Sequence, residues 1–200
     1  MFKKWMCIGT TIIGISFLIL TTLYAENKVE EKSPVDIQNL FYSTGWMGDG
    51  EYGKKYIDFN GSYKEGAHSE PTCIKIIYKF GPKKWGGIYW QNQPDNWGDK
   101  LGNDYSKQGF KKITFWAKGT TGKEVIEFKA GCIDDSKKQY RDSFCKTIGR
   151  VTLSKEWAQY TISIEKENLS SVIGGFCWVT SGDYNEQESI TFYLDDISLE

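Results

Sequence analysis

Short runs of alternating apolar and polar residues make up most of the chain from about residue 37 onward. Residues 72–80 alternate and are rich in β-branched side chains, and in 158–164 every second residue from Ala158 to Ile164 is apolar or aromatic. Similar runs cover 85–91, 112–118, 124–130, 173–180 and 189–200. About nine short strands with glycine-rich turns, and no long helical period among them, predict an all-β jelly-roll β-sandwich of two antiparallel sheets.

Two connections can be predicted from local signals. The sequence Gly-Thr-Thr-Gly at 119–122 is a turn signal between two strand-like runs. We therefore expect 112–118 and 124–130 to pair as a hairpin. A helical turn is expected only near 167–171.

The N-terminus has the pattern of a signal peptide, which we assign to residues 1–25. Lys3 and Lys4 precede an apolar run at 8–23, and Ala25 offers a small residue at a cleavage point. The apolar run is short for a membrane-spanning helix and contains Gly and Thr. We therefore expect a secreted or periplasmic protein, with an uncleaved membrane anchor as the alternative.

The rest of the chain reads as a charged linker at 26–36 and a single domain at 37–200. Cleavage removes Lys3 and Lys4 but no acidic residue, so 175 residues with 23 basic and 26 acidic side chains remain. This length suits one domain with a real core. The weakly acidic balance, a net charge of −3, argues against nucleic acid and anionic lipid as partners, and we expect a monomer.

Four cysteines remain after cleavage, and an even number in an exported chain indicates disulfides. Cys132 and Cys145 are favoured as a pair because a hairpin-like segment would bring them together. Cys73 and Cys177 lie in strand-like runs, where they either pair across the core or remain buried thiols. With one His and no Cys-x-x-Cys motif, a zinc site is not expected.

The stretch 85–98 (WGGIYWQNQPDNWG) carries the most distinctive chemistry. It places three Trp and one Tyr among Gln, Asn and Asp side chains. Aromatic faces pack against the C–H faces of sugar rings, and amides and carboxylates bond to hydroxyl groups. The composition therefore indicates a carbohydrate-binding surface. The alternative is a core strand followed by a tight turn, with all three Trp side chains packed inside.

Strand phase divides this stretch into two faces. Ile88 and Trp90 share one face, which we assign to the core, and Tyr89 and Gln91 share the other, which we assign to a concave sheet surface. Trp97 follows a Pro-containing turn and is expected to form an aromatic wall at the rim. The predicted sugar contacts here are Tyr89, Gln91, Asn96 and Trp97.

Arg141 is a further candidate contact, because a guanidinium can grip a pair of sugar hydroxyls or a uronate carboxylate. Its plainer role is a surface ion pair with Asp142 or Asp135.

An enzyme is not expected. Glycoside hydrolysis normally needs two carboxyl groups across the bond, and Glu127, the one acid in an apolar strand context, has no evident partner. His68 is the only histidine, and no nucleophile-elbow motif accompanies it.

Several motifs together resemble a known family. In order they are 43–49 (STGWMGD), 85–91 (WGGIYWQ) with 96–98 (NWG), 113–119 (ITFWAKG), 174–179 (GGFCWV) and 192–197 (FYLDDI). Over residues 40–200 the chain resembles carbohydrate-binding-module-like domains of the galactose-binding-like superfamily. The resemblance implies a non-catalytic jelly roll of the kind found on exported bacterial proteins, often attached to glycoside hydrolases. We expect no such catalytic domain in this chain, which would depart from the usual arrangement of the family.

A structural calcium ion is the one cofactor expected. The apolar phase of the last strand changes at Asp195-Asp196, which predicts a bulge that presents two carboxylates, and these either ligate calcium or are solvated. The resemblance implies a structural calcium near the first and last strands, with Asp49 or Glu51 as the matching acids.

These observations favour an exported, non-catalytic domain that binds a polysaccharide or glycan. The alternatives are a structural or protein-binding envelope domain without sugar affinity and, with less support, a glycoside-active enzyme. Fold alone does not separate them, because function depends on the site.

Overall fold

The computed structural model describes residues 33–200, which form eleven strands. They are β1 (Val35–Asp36), β2 (Tyr42–Gly48), β3 (Ile57–Tyr63), β4 (Cys73–Lys79), β5 (Trp85–Gln91), β6 (Lys112–Gly119), β7 (Val125–Gly131), β8 (Cys145–Thr152), β9 (Ala158–Ser163), β10 (Gly174–Ser181) and β11 (Ser189–Leu199). The predicted signal peptide lies outside the described residues. β1 falls within the predicted linker, where it pairs with β11.

The strands form two antiparallel sheets packed face to face. The six-stranded sheet has the order β3-β4-β11-β6-β9, with β1 also paired to β11, and the five-stranded sheet has the order β2-β5-β10-β7-β8. This architecture confirms the predicted all-β jelly-roll sandwich. The core between the sheets includes Trp90, Trp178, Phe115, Phe176 and Phe192, each of them almost fully buried. The inward assignment of Trp90 is therefore confirmed.

The predicted hairpin of 112–118 with 124–130 is wrong. β6 lies in the six-stranded sheet and β7 in the five-stranded sheet, so the 119–122 turn carries the chain from one sheet to the other. Both strands bury their apolar faces in the same core, which they approach from opposite sides. The turn is fixed by the buried Glu124 carboxylate, which accepts backbone N–H groups from Thr120 to Lys123.

The helical segments of residues 33–200 are two 3₁₀ stretches, Ile37–Asn39 and Asp49–Lys55. Residues 167–171 form bends and irregular backbone instead of the predicted helical turn. None of the described helices is long and apolar enough to cross a membrane.

The predicted cysteine pair is confirmed. Cys132 and Cys145 are joined at an S–S distance of 2.03 Å, between the ends of the paired strands β7 and β8. Cys73 and Cys177 are buried free thiols, so the second of the two alternatives holds for them.

Candidate functional site

The outer face of the five-stranded sheet carries a second, smaller apolar cluster. Its buried members are Tyr89, Ile133, Ile173 and Cys177, and the partly buried side chains packed against them are Met47, Trp97, Tyr140 and Val179. Two of these residues, Tyr89 and Trp97, belong to the aromatic stretch predicted to bind sugar. Two loops cover this cluster. The first covering loop is the one that follows β5 and carries Trp97, and the second is formed by residues 132–142.

Tyr89 forms the base of the cluster, and Trp97 packs on it. The rings meet edge to face, with centroids 5.9 Å apart and planes at 88°. Tyr89 is 5% exposed and Trp97 is half-buried. The Tyr89 side chain fits because its neighbours are glycines: a Cβ atom at Gly45 would lie 2.7 Å from Tyr89 Cβ, and one at Gly174 would lie 2.9 Å from Tyr89 Cε1. Burial raises the pKa of the Tyr89 hydroxyl far above its usual range.

Gln91 and Asn96 lie inside the protein, where they hold the first covering loop. The Gln91 side-chain amide donates to the Asn96 carbonyl at 2.8 Å, and the Asn96 Oδ1 atom accepts from the backbone N–H groups of Gly98 and Lys100. Both residues are about 1% exposed or less. Because Trp97 lies between Asn96 and Gly98, these bonds fix the backbone that carries its indole.

The second covering loop, residues 132–142, is fastened at both ends. The disulfide closes its base, and the Tyr140 N–H donates to the Gly98 carbonyl, which ties it to the first loop. The Asp142 carboxylate accepts backbone N–H groups of Ile133, Ile173 and Gly174. Since Ile173 and Gly174 lie at the start of β10, Asp142 anchors this loop to the sheet.

Burial raises the pKa of Asp142 to about 6, although the three backbone N–H groups favour its ionised form. The folded protein therefore holds a proton there that the unfolded chain releases near pH 4. We expect the free energy of unfolding to lose up to about 3 kcal/mol from this group as pH rises from about 4 to about 6. Urea unfolding of wild type and Asp142→Asn at pH 4.5 and pH 7 tests this. The loss of unfolding free energy caused by Asp142→Asn should be smaller at pH 7 than at pH 4.5. An equal loss at both pH values would contradict the raised pKa of Asp142.

Between the two loops lies an open cleft of about 450 Å³. It is lined by Met47, Tyr89, Trp97, Cys132, Ile133, Asp134 and Asp135. One wall is apolar and aromatic, and the other presents two neighbouring carboxylates. The cleft therefore offers a flat stacking surface opposite hydrogen-bond acceptors.

Arg141 stands beside this cleft and does not line it. Its guanidinium Nη1 atom lies 3.5 Å from Asp134 Oδ1, and its side chain is half exposed. The predicted ion-pair partners, Asp142 and Asp135, are therefore wrong: Asp142 is engaged with backbone N–H groups, and Asp135 accepts the Lys137 N–H. Arg141 sets the position of one cleft carboxylate.

Two exposed aromatic side chains lie near this face. Trp85, 40% exposed, begins β5 in the same phase as Tyr89, so strand alternation places it on the outer face. Tyr42, 54% exposed, lies opposite Gln91 in the register of β2 with β5. Alternation from Tyr89 could have identified Trp85, but the position of Tyr42 follows only from the pairing of the strands.

The four acids predicted to hold calcium form two separate pairs. Asp49 is fully buried and accepts from the Tyr78 hydroxyl at 2.6 Å and from the Gly81 and Lys83 N–H groups; Glu51 pairs with the Lys83 ammonium. These contacts lie at the C-terminal end of β4. Hydrogen-bond donors surround Asp49 where a cation would need oxygen ligands.

The other pair lies near the N-terminal end of β4, since Leu194 pairs with Ile74. The register of β11 shifts between Asp195 and Ser198, which confirms the predicted bulge. Asp195 accepts the N–H groups of His68 and Ser69, and Asp196 accepts from their side chains. Nowhere in residues 33–200 do three His, Cys, Asp or Glu side chains group as a metal site requires. The structure therefore does not bring the four acids together as one site, and calcium binding stays a prediction.

No protein-family model matches the chain, and no curated protein sequence matches it at a significant level. Solved structures do match. The family 11 carbohydrate-binding module from Clostridium thermocellum, in complex with a β-1,3-1,4-mixed-linked tetrasaccharide, is 13% identical with a TM-score of 0.53, covering 83% of this chain and 93% of that chain.

Two further structures are similar to the same extent. The family 30 carbohydrate-binding module of a cellulosomal cellulase of Clostridium thermocellum is 17% identical with a TM-score of 0.51, covering 84% of this chain and 93% of that chain. Another family 30 module is 16% identical with a TM-score of 0.51, covering 84% and 83%. At such identities the likeness shows the fold. The chain has the jelly-roll fold that these carbohydrate-binding modules share.

Proposed function

We propose that this protein is an exported, non-catalytic domain that binds a polysaccharide in the cleft between its two covering loops. The observation that carries this proposal is the mounting of Trp97. Its indole rests on the buried Tyr89 ring, its flanking residues are fixed by the Gln91 and Asn96 bonds, and it borders an open cleft. A rigid, half-buried indole of this kind offers a sugar ring a flat face at little cost in conformational entropy.

The opposite wall supplies the polar half of the recognition. Asp134 and Asp135 are exposed in the cleft, and their oxygens accept hydrogen bonds from sugar hydroxyls. Arg141 forms an exposed ion pair with Asp134. Two carboxylates repel an acidic sugar, so we expect the cleft to prefer a neutral glycan over an acidic one.

The arrangement of acids supports a binding role without catalysis. Asp134 and Asp135 come from one loop and therefore do not flank a glycosidic bond from opposite sides, as an acid and its partner must. Glu127, on the same face of the sheet, is paired with the Lys129 ammonium at 3.1 Å and with the Thr147 hydroxyl. The disulfide favours an oxidising compartment, which supports export.

Affinity electrophoresis against neutral polysaccharides, including mixed-linkage β-glucan, xylan and galactan, tests the proposal. We expect at least one of them to retard the protein and to change its tryptophan fluorescence, because Trp97 leaves water on binding. A protein that no neutral polysaccharide retards would contradict it and favour a structural or protein-binding role.

A further inference from the structure

The outer face of the six-stranded sheet carries a row of alternating aromatic and basic side chains. Tyr193 on β11 lies between Lys75 on β4 and Lys118 on β6 in the strand register. Its chain neighbours Phe192 and Leu194 are fully buried, so Tyr193 faces outward. The row thus crosses the three central strands of the sheet that does not carry the cleft.

Two more aromatic rings extend the row in both directions. Tyr63, at the end of β3, lies 5.8 Å from the Tyr193 ring, and Trp157, immediately before β9, lies 6.4 Å from it on the other side. Each of the three rings is half-buried. We call these five residues the tyrosine–lysine row: Tyr63, Lys75, Tyr193, Lys118 and Trp157.

The two ammonium groups of the row sit over its rings. Lys75 Nζ lies 4.3 Å from the Tyr63 ring centroid, and Lys118 Nζ lies 4.6 Å from that of Trp157 and 5.1 Å from that of Tyr193. Within residues 33–200 neither lysine forms an ion pair with a carboxylate. Glu65 lies at the edge of the row, where it accepts the Tyr63 hydroxyl. The positive charges of Lys75 and Lys118 are therefore not neutralised by a paired carboxylate.

The row is held in place by the loop that follows β3. The Gly66 carbonyl accepts both the Lys118 ammonium at 2.9 Å and the Trp157 indole N–H at 3.1 Å. His68, to which the sequence assigns no role, stacks on Trp116 at 3.8 Å and bonds to Asp196 at 2.7 Å, which fixes the loop on the sheet. Side chains ordered before binding lose little entropy when a ligand arrives.

Positive charge continues along the same face. Lys79 follows Lys75 on the outer side of β4, with Ile77 between them, and Ile77 and Lys79 line a second open cleft of about 380 Å³. Lys54, Lys55, Tyr56 and Asp58 complete its lining. A ligand chain lying along β4 would meet Lys75 and Lys79, whose Cα atoms are about 13 Å apart.

We propose that this face is a second binding surface, and that its ligand is a polysaccharide bearing uronate carboxylates. The rings supply stacking surfaces for the sugar C–H faces, and Lys75, Lys118 and Lys79 supply the complementary charge. Lys75, Lys118 and Lys79 lie on one face, while the cleft of the other sheet presents acids. The two surfaces thus favour glycans of opposite character.

The test uses polygalacturonate, with its methyl ester as the uncharged probe, and the double variant Lys75→Gln/Lys118→Gln. We expect wild type to bind polygalacturonate at least about tenfold more tightly than the ester, with an affinity that falls as NaCl is added. The double variant should lose about tenfold or more of this affinity while it remains folded, as its circular dichroism spectrum would show. Lys111→Gln/Lys123→Gln, which removes two exposed lysines outside the row, should bind as wild type does.

Two results with the polysaccharide would overturn the proposal: equal affinity for the acid and its methyl ester, or full affinity in Lys75→Gln/Lys118→Gln. A third is equally tight binding of a single-stranded oligothymidylate, which would reveal a general polyanion surface. Trp97→Ala separates this surface from the cleft. It should weaken binding of neutral glycan and leave polygalacturonate binding intact, so each proposal can fail without the other.

Discussion

Trp97→Ala should weaken binding of the neutral polysaccharide by about 2 kcal/mol or more, roughly 30-fold in Kd. The substitution removes the only aromatic side chain that both lines the described cleft and remains half exposed. The Tyr89 ring beneath it is buried and cannot take its place without moving the loop. Affinity electrophoresis and isothermal titration with the glycan that binds best would measure the loss.

Two variants make that result specific. Tyr52→Ala removes a half-exposed aromatic ring that lines none of the cleft, and it should leave the affinity unchanged. Gln91→Ala keeps the indole but breaks the bond to the Asn96 carbonyl, so it should give a smaller loss than Trp97→Ala. Full affinity in Trp97→Ala, with normal folding, would remove the cleft as the binding site.

Asp49→Ala should cost about 3–5 kcal/mol of unfolding free energy, which for a domain of this size lowers the melting temperature on the order of 10 °C. The substitution leaves the buried Tyr78 hydroxyl and two backbone N–H groups without their acceptor. Each unpaired buried donor is costly because no water replaces the lost bond. Calorimetry or urea unfolding would measure the effect.

The matched control is Asp196→Asn, which changes another of the acids predicted to bind calcium and keeps a side chain that tolerates the positive φ of 48° at this position. The Asp196 carboxylate is partly exposed and bonds to His68 and Ser69 at the surface, so we expect a loss below about 1 kcal/mol. EDTA should not shift the melting temperature of wild type. A large loss in Asp196→Asn together with destabilisation by EDTA would support the calcium prediction for the last strand.

The hydrophobic pattern alone determined the class of fold and the direction of many side chains. Period-two alternation places Trp90 and Tyr89 on opposite faces of one strand, and the structure confirms this because a pleated strand has no other way to arrange them. The pairing of Cys132 with Cys145 could also be predicted from the sequence, because the two residues lie near each other in the chain. The change of apolar phase at Asp195 likewise predicted the bulge in β11.

Only the tertiary structure decided how strands far apart in sequence become neighbours. β6 and β7 look like a hairpin locally, yet they lie in different sheets, because β6 pairs with β11 and β9 whereas β7 pairs with β10 and β8. Gln91 and Asn96 have the composition of sugar contacts, but a loop folded onto β2 and β5 buries them. Alternation cannot show which outer face a loop will cover.

The aromatic stretch at 85–98 thus gave the chemistry of the candidate site but not its opposite wall. That wall comes from residues 132–142, which the disulfide and Asp142 bring against Trp97. The tyrosine–lysine row is still more dependent on the fold, because Lys75, Lys118 and Tyr193 are adjacent only through the order of β4, β6 and β11. The sequence determines which side chains each strand presents, and the strand order determines which of them meet.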